Sequence, residues 1–81
     1  MKKLIKFEKE NCTPCTQVQN HLDNTGLEIE IEKINPFDNP KRAGEYKIGS
    51  VPTTILIDGE GNELARSIGF KPDELDAMLE M

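Results

Sequence analysis

Apolar residues recur along this chain with two periods, and the switches between them mark out its elements. In Lys3–Phe7, Leu4, Ile5 and Phe7 form a run of strand length, too short for a helix. Asn11 is placed to cap a helix and Pro14 to sit in its first turn. Cys15, Val18 and Leu22 then recur at three and four residues, the spacing of one helix face. Cys12 thereby falls at a helix N-terminus, and Gly26 ends the helix. In "LEIEIEKI", Leu27, Ile29 and Ile31 alternate with Glu28, Glu30 and Glu32, which predicts a second strand with one wet face.

"NPFDNP" carries turn chemistry. "PKRAGEYKI" predicts a short helix opened by Pro40 and weakened by Gly44. "TTILID" is β-branched and apolar on both faces, as a central strand is; "GEGN" reads as a hairpin loop and "ELARSI" as the returning strand. Pro72 opens a last helix with Asp73 and Glu74 in its first turn, where the dipole favours them, and with Leu75, Met78 and Leu79 as its buried stripe. The order is βαβαββα. A strand, a long helix and a strand imply a parallel right-handed crossover, and the second half adds an antiparallel hairpin. The expected architecture is an α/β fold with a four-stranded mixed sheet. Its second strand lies at an edge, where a row of glutamates discourages pairing with another molecule.

With 81 residues and two cysteines, the chain is sized for a single domain spanning residues 1–81. A secreted protein this small usually needs several disulfides, so a cytoplasmic setting is expected. After Lys2 and Lys3, "LIKFEKEN" is broken by charges; it forms no signal peptide core and no membrane span. The net charge of −5 repels phosphate backbones, and Phe7, Phe37, Tyr46 and Phe70 are scattered, which argues against nucleic acid as a partner.

Candidate chemistry therefore rests on "CTPC", for which three readings compete. A disulfide staple between residues three apart closes so short a loop that it contributes only about 2 kcal/mol. A closed zinc site wants four ligands, and His21, the next strong candidate, lies nine residues past Cys12, roughly 13 Å along the helix axis. A cluster shared between two chains stays open. As a redox couple the spacing is apt, because the sulfurs can meet across one helical turn. The helix N-terminus lowers the Cys12 pKa from about 8.5 toward neutrality, whereas Cys15, farther in on the apolar face, stays protonated. Cys12 is then the attacking thiolate and Cys15 the resolving thiol. In "GSVPTT", Pro52 reads either as a simple strand start or as a cis Val51–Pro52 bond that presents the backbone of Val51 to an extended substrate.

Together these motifs resemble the thioredoxin family along almost the whole chain, Lys3 to Leu79. "CTPC" after a short strand is similar to its C-x-P-C site, "YKIGSVPTTILIDGEGNEL" to its cis-proline strand and hairpin, and "SIGFKPDELDAML" to its terminal glycine and helix. The resemblance implies a minimal thioredoxin fold without the family's opening strand and helix, acting as a cytoplasmic protein-disulfide reductase. No cofactor beyond the Cys12–Cys15 couple is implied. It makes Cys12 the nucleophile, Cys15 the resolving thiol and Pro52 the cis-proline. Thr13, Pro14, Val51 and Gly69 would line the substrate groove. Implied partners are disulfide-bearing proteins, such as ribonucleotide or peroxide reductases, and a flavin-dependent thioredoxin reductase as donor to a monomer.

The sequence departs from the family at three of these positions. Asn11 replaces the usual Trp before the first cysteine, and Thr13 the usual Gly. Lys6 stands where the family has a buried acid, and Lys33 matches that acid's usual lysine partner. Lys6 reads either as a cation favouring thiolate or as a strand-end side chain snorkelling to solvent. A glutaredoxin-like reductase using a small thiol is the alternative within the fold, although "GFKPDE" lacks a Gly-Gly turn. A metal or iron–sulfur module and a non-enzymatic interaction domain using the acidic face complete the alternatives.

Overall fold

A computed structural model describes residues 1–26 and 28–81. The elements are β1 (Lys3–Phe7), α1 (Thr13–Asn24), β2 (Glu30–Ile34), α2 (Pro40–Glu45), β3 (Thr53–Ile57), β4 (Glu63–Ile68) and α3 (Pro72–Leu79). They form a four-stranded sheet in the order β2-β1-β3-β4. β1 pairs parallel with β2 and antiparallel with β3, and β4 returns antiparallel along β3. The hairpin is closed by Asp58, whose Oδ1 accepts the N–H groups of Glu60 and Asn62 at 2.9 Å each, with Gly61 at φ +87° completing the turn.

Strand alternation divides the core between the two faces of the sheet. On one face Leu4 and Leu56 pack with Val18 and Leu22 of α1 and with Leu75 and Met78 of α3. On the other, Ile5, Phe7, Ile34, Ile55 and Ile57 meet Ala43 of α2. Short α2 forms despite Gly44, since Pro40 opens it and Ala43 anchors it. α1 is bound to α3 at the surface by His21, whose Nε2 lies 2.7 Å from Asp76 Oδ1 and whose ring stands edge-on to Phe70. That histidine faces α3 rather than the cysteines.

Two sequence expectations are corrected here. The first concerns β2, which is an edge strand but begins at Glu30 instead of Leu27; Leu27 itself lies outside the described residues. Ile29 and Ile31 still pack on the α1/α3 face. The second concerns the glutamate row, which is not uniformly solvated. Glu32 accepts from Lys3 Nζ and from Arg42 Nη1, each at 3.0 Å, tying β2 to β1 and α2. Hydrogen bonding by Arg42, and next by Lys3, holds its carboxyl below the usual range. A depressed folded pKa adds stability that is complete above the unfolded value of about 4.3 and is lost as pH falls through the folded one. Because the pair is part-exposed, Glu32→Gln is expected to cost only about 0.5–1 kcal/mol at pH 7. In urea unfolding the gap between variant and parent narrows as pH falls below the unfolded value of about 4.3; a gap undiminished in acid refutes the ion pairs as its source.

Candidate functional site

The two cysteines sit where β1 hands the chain to α1. Asn11 takes a left-handed φ of +55°, which Asn tolerates better than most residues, and turns the chain so that Cys12 becomes the helix N-cap. The cap is therefore Cys12 itself rather than Asn11. Its Sγ accepts the N–H of Cys15 at 3.2 Å, satisfying one orphan donor of the first turn, and its carbonyl accepts the first intrahelical bond, from the N–H of Thr16 at 3.1 Å. Pro14 lies within this first turn, where an N–H would be unused. Cys12 and Cys15 are joined by a disulfide across that turn, with Cα atoms 5.2 Å apart. Cys12 is 9% exposed and Cys15 2%, so the first sulfur is the more accessible.

Beneath the helix, alternation puts Leu4, Lys6 and Glu8 on the α1 side of β1. Lys6 does not snorkel: it is completely buried. Its Nζ donates to Gln19 Oε1 of α1 at 2.5 Å and lies 3.0 Å from Glu8 Oε1. Gln19 in turn donates through Nε2 to Asp23 Oδ1 at 2.8 Å. Buried Thr54 and Ser67 continue this polar row across β3 and β4, ending where Ser67 Oγ donates to Glu74 Oε1 at 2.8 Å. Lys33, opposite Lys6 on β2, is exposed.

The other residues singled out in the sequence divide between neighbouring surfaces. Thr13 lines an open depression together with Cys12 and Cys15, and Pro14 is exposed beside them. Val51 lines the adjoining groove, with Phe37, Ile48 and Lys47; Lys9 borders both depressions. The Val51–Pro52 peptide bond is cis. Pro52 is buried, and its carbonyl accepts the N–H of Gly69 at 2.8 Å, which ties the residue after β4 to the loop before β3. Sequence reasoning missed Glu8, which also lines the cysteine depression. Its place two residues beyond Lys6, on the same strand face, was the available signal. Among the described residues, no cluster of three or more His, Cys, Asp and Glu is placed to hold a metal, and no helix is long and apolar enough to cross a membrane.

A dithiol–disulfide pair capping the first helix of a mixed β2-β1-β3-β4 sheet defines a thiol-disulfide oxidoreductase of thioredoxin-like architecture. The family model for thioredoxin matches residues 1–81. The SPbeta prophage-derived thioredoxin-like protein YosR of Bacillus subtilis is 42% identical over 77 residues, covering 95% of this chain and 94% of its own. Thioredoxin of Chlamydia pneumoniae is 40% identical over 74 residues, covering 88% and 72%. Among solved structures, thioredoxin NaTrxh of Nicotiana alata superposes with a TM-score of 0.82 at 26% identity, covering 98% of this chain and 70% of its own. Oxidised mitochondrial thioredoxin 3 of Saccharomyces cerevisiae gives 0.80 at 25% identity, covering 99% and 78%. The chain belongs to the thioredoxin family.

Proposed function

We propose that this chain reduces protein disulfides, with Cys12 as nucleophile and Cys15 as resolving thiol. The observation that carries the reading is the position of Cys12 Sγ at the helix N-cap, where it receives the Cys15 N–H. Reduced Cys12, in that field of N–H groups, is favoured as thiolate. It attacks one sulfur of the substrate disulfide, forms a mixed disulfide and expels the other sulfur as thiolate. Cys15, as thiolate, then attacks Cys12 Sγ and expels the second substrate sulfur. Two electrons pass to the substrate, and a reductase-type donor returns them to the Cys12–Cys15 disulfide.

Substrate contact falls to the surfaces around the sulfurs. Thr13 and Pro14 stand exposed beside Cys12. The backbone N–H and C=O of Val51 have no hydrogen-bond partner among the described residues, which suits them to pairing with an extended substrate chain. Pro52 and Gly69 support that loop from behind. The chain acts in this reading as one monomeric domain in the cytoplasm.

The discriminating measurement is the reduction potential of the couple. Protein equilibrated with thiol/disulfide buffers of graded poise, trapped by alkylation and weighed, is expected to give a value near about −270 mV, characteristic of thioredoxin. A value near about −120 mV, that of a strong oxidant, overturns the direction of electron flow proposed here.

A further inference from the structure

A net charge of −5 makes the surface as a whole repel acidic partners. One face beside the cysteines departs from that average. The groove that adjoins the cysteine depression has a volume of ≈ 630 Å³ and an apolar lining that includes Pro36, Phe37, Pro40, Ile48 and Val51. That size is within the range of about 300–1,000 Å³ usual for ligand sites. Phe37 is 75% exposed, so a large ring stands uncovered there. The charged residues of the lining are Lys9 and Lys47, and no Asp or Glu is among the described residues that line the groove. The carboxylates near the sulfurs, Glu8 and Glu10, line the cysteine depression instead.

Both lysines are uncommitted. Lys3 and Arg42 are engaged by Glu32 and Arg66 by Glu63, whereas the exposed side chains of Lys9 and Lys47 make no hydrogen bond or ion pair among the described residues. Lys47 is also held in a left-handed backbone, φ +54°, a conformation that glycine adopts without strain. Strain of this kind collects at functional positions. What lysine supplies at position 47 that glycine would not is a cationic side chain on the groove. Lys9 lines both depressions, so the groove is continuous with the surface around the sulfurs.

We infer that this groove is a specificity site for the segment next to the substrate's reactive cysteine, and that it selects a segment carrying an apolar side chain and adjacent carboxylates. The inference rests on the proposed redox role of the pair. Exchange at Cys12 and backbone pairing at Val51 are indifferent to the substrate's side chains. The groove adds discrimination: the apolar side chain lies against Phe37 and Ile48, and the carboxylates pair with Lys9 and Lys47. Substrates recognised in this way are disulfide-bearing proteins with an acidic, partly apolar flank, against the sign of the chain's net charge.

The test uses blocked peptides, each with a single cysteine held as a mixed disulfide with nitrothiobenzoate. Beside the cysteine, on one side or the other, stands a leucine followed by glutamates, glutamines or lysines. Cys12 thiolate bonds to the peptide sulfur and expels the coloured nitrothiobenzoate thiolate, the better leaving group; Cys15 then displaces the peptide thiol. The readout is the ratio of second-order rates for the glutamate and lysine peptides, in which any change in Cys12 reactivity cancels. At low ionic strength Lys9→Gln and Lys47→Gly are each expected to lower that ratio about threefold, and together about tenfold, as exposed ion pairs are lost. Salt at about 0.5 M erases most of the difference between parent and double variant. Because glycine relieves the backbone at position 47, Lys47→Gly loses the preference without losing melting temperature. Phe37→Ala slows all the leucine peptides at least about threefold with the ratio unchanged. Lys33→Gln, the same charge change on β2, leaves the ratio unaltered. An equal ratio in parent and double variant, an equal shift in Lys33→Gln, or unaltered rates in Phe37→Ala overturns the assignment. Failure of the parent to release nitrothiobenzoate from any of the peptides counts against the redox reading itself, which keeps the two outcomes apart.

Discussion

Cys12→Ser is expected to abolish disulfide turnover, and Cys15→Ser to stall it after the first bond exchange and accumulate a covalent adduct with substrate. The two outcomes differ because the sulfurs occupy different places on one helical turn. Cys12 is the N-cap and the more accessible sulfur; Cys15 is buried against the sheet. A serine hydroxyl is far too weak an acid to supply an anion at neutral pH, so the first attack fails. The fold survives this change, since serine is among the favoured N-cap residues and its oxygen can take over the bond from the Cys15 N–H. Loss of activity in a folded Cys12→Ser protein is thus chemical. Reduction of a protein disulfide with a dithiol donor reads the first effect, and intact-mass analysis of the Cys15→Ser protein after exposure to substrate reads the second. A Cys12→Ser protein with full activity would remove Cys12 from the mechanism.

Phe7→Ala is expected to produce the largest loss of stability of any single truncation. Phe7 has no exposed surface, joins Ile34, Ala43 and Ile55 in one core cluster, and places its ring 5.8 Å from that of Tyr46. Emptying such a site costs about 3–5 kcal/mol through lost transfer energy and the cavity left behind. Domains of this size have total stabilities toward the low end of about 5–15 kcal/mol. The melting temperature is therefore expected to fall by about 15–30 °C. Phe37→Ala provides the contrast: Phe37 is 75% exposed, and its loss is expected to stay within about 0.5 kcal/mol. Comparable shifts in the two variants would mean that the core does not lie where these contacts place it.

The sequence carried the elements and their order because periodicity and turn residues are local signals. "TTILID" announced a strand buried on both faces, and β3 is buried throughout. The alternating glutamates announced an edge strand, and β2 is one. Long-range partners left no such mark. Glu32 reads as a solvated edge residue until the fold brings Lys3 and Arg42 to it from β1 and α2. Lys6 shows the same limit more sharply. A lysine at a strand end ordinarily reaches water. Here Gln19, thirteen positions away, and Glu8 close over it, and only the packed α1 reveals that. The thiol pair was legible from spacing and helix capping, whereas the pairing of Glu8 with buried Lys6 was not, since a glutamate in "FEKEN" has nothing local to distinguish it from its neighbours.

The sheet order has a consequence for how this architecture tolerates variation in length. The loop that carries Cys12 leaves from β1, an interior strand, and β2 at the margin contributes no residue to the cysteine depression. Material added beyond β2 would extend the sheet laterally while leaving the reactive centre where it is. In a lineage of such proteins, that margin is the place where segments can be gained, exchanged or shed at little chemical consequence. β1 and the start of α1 have no comparable latitude.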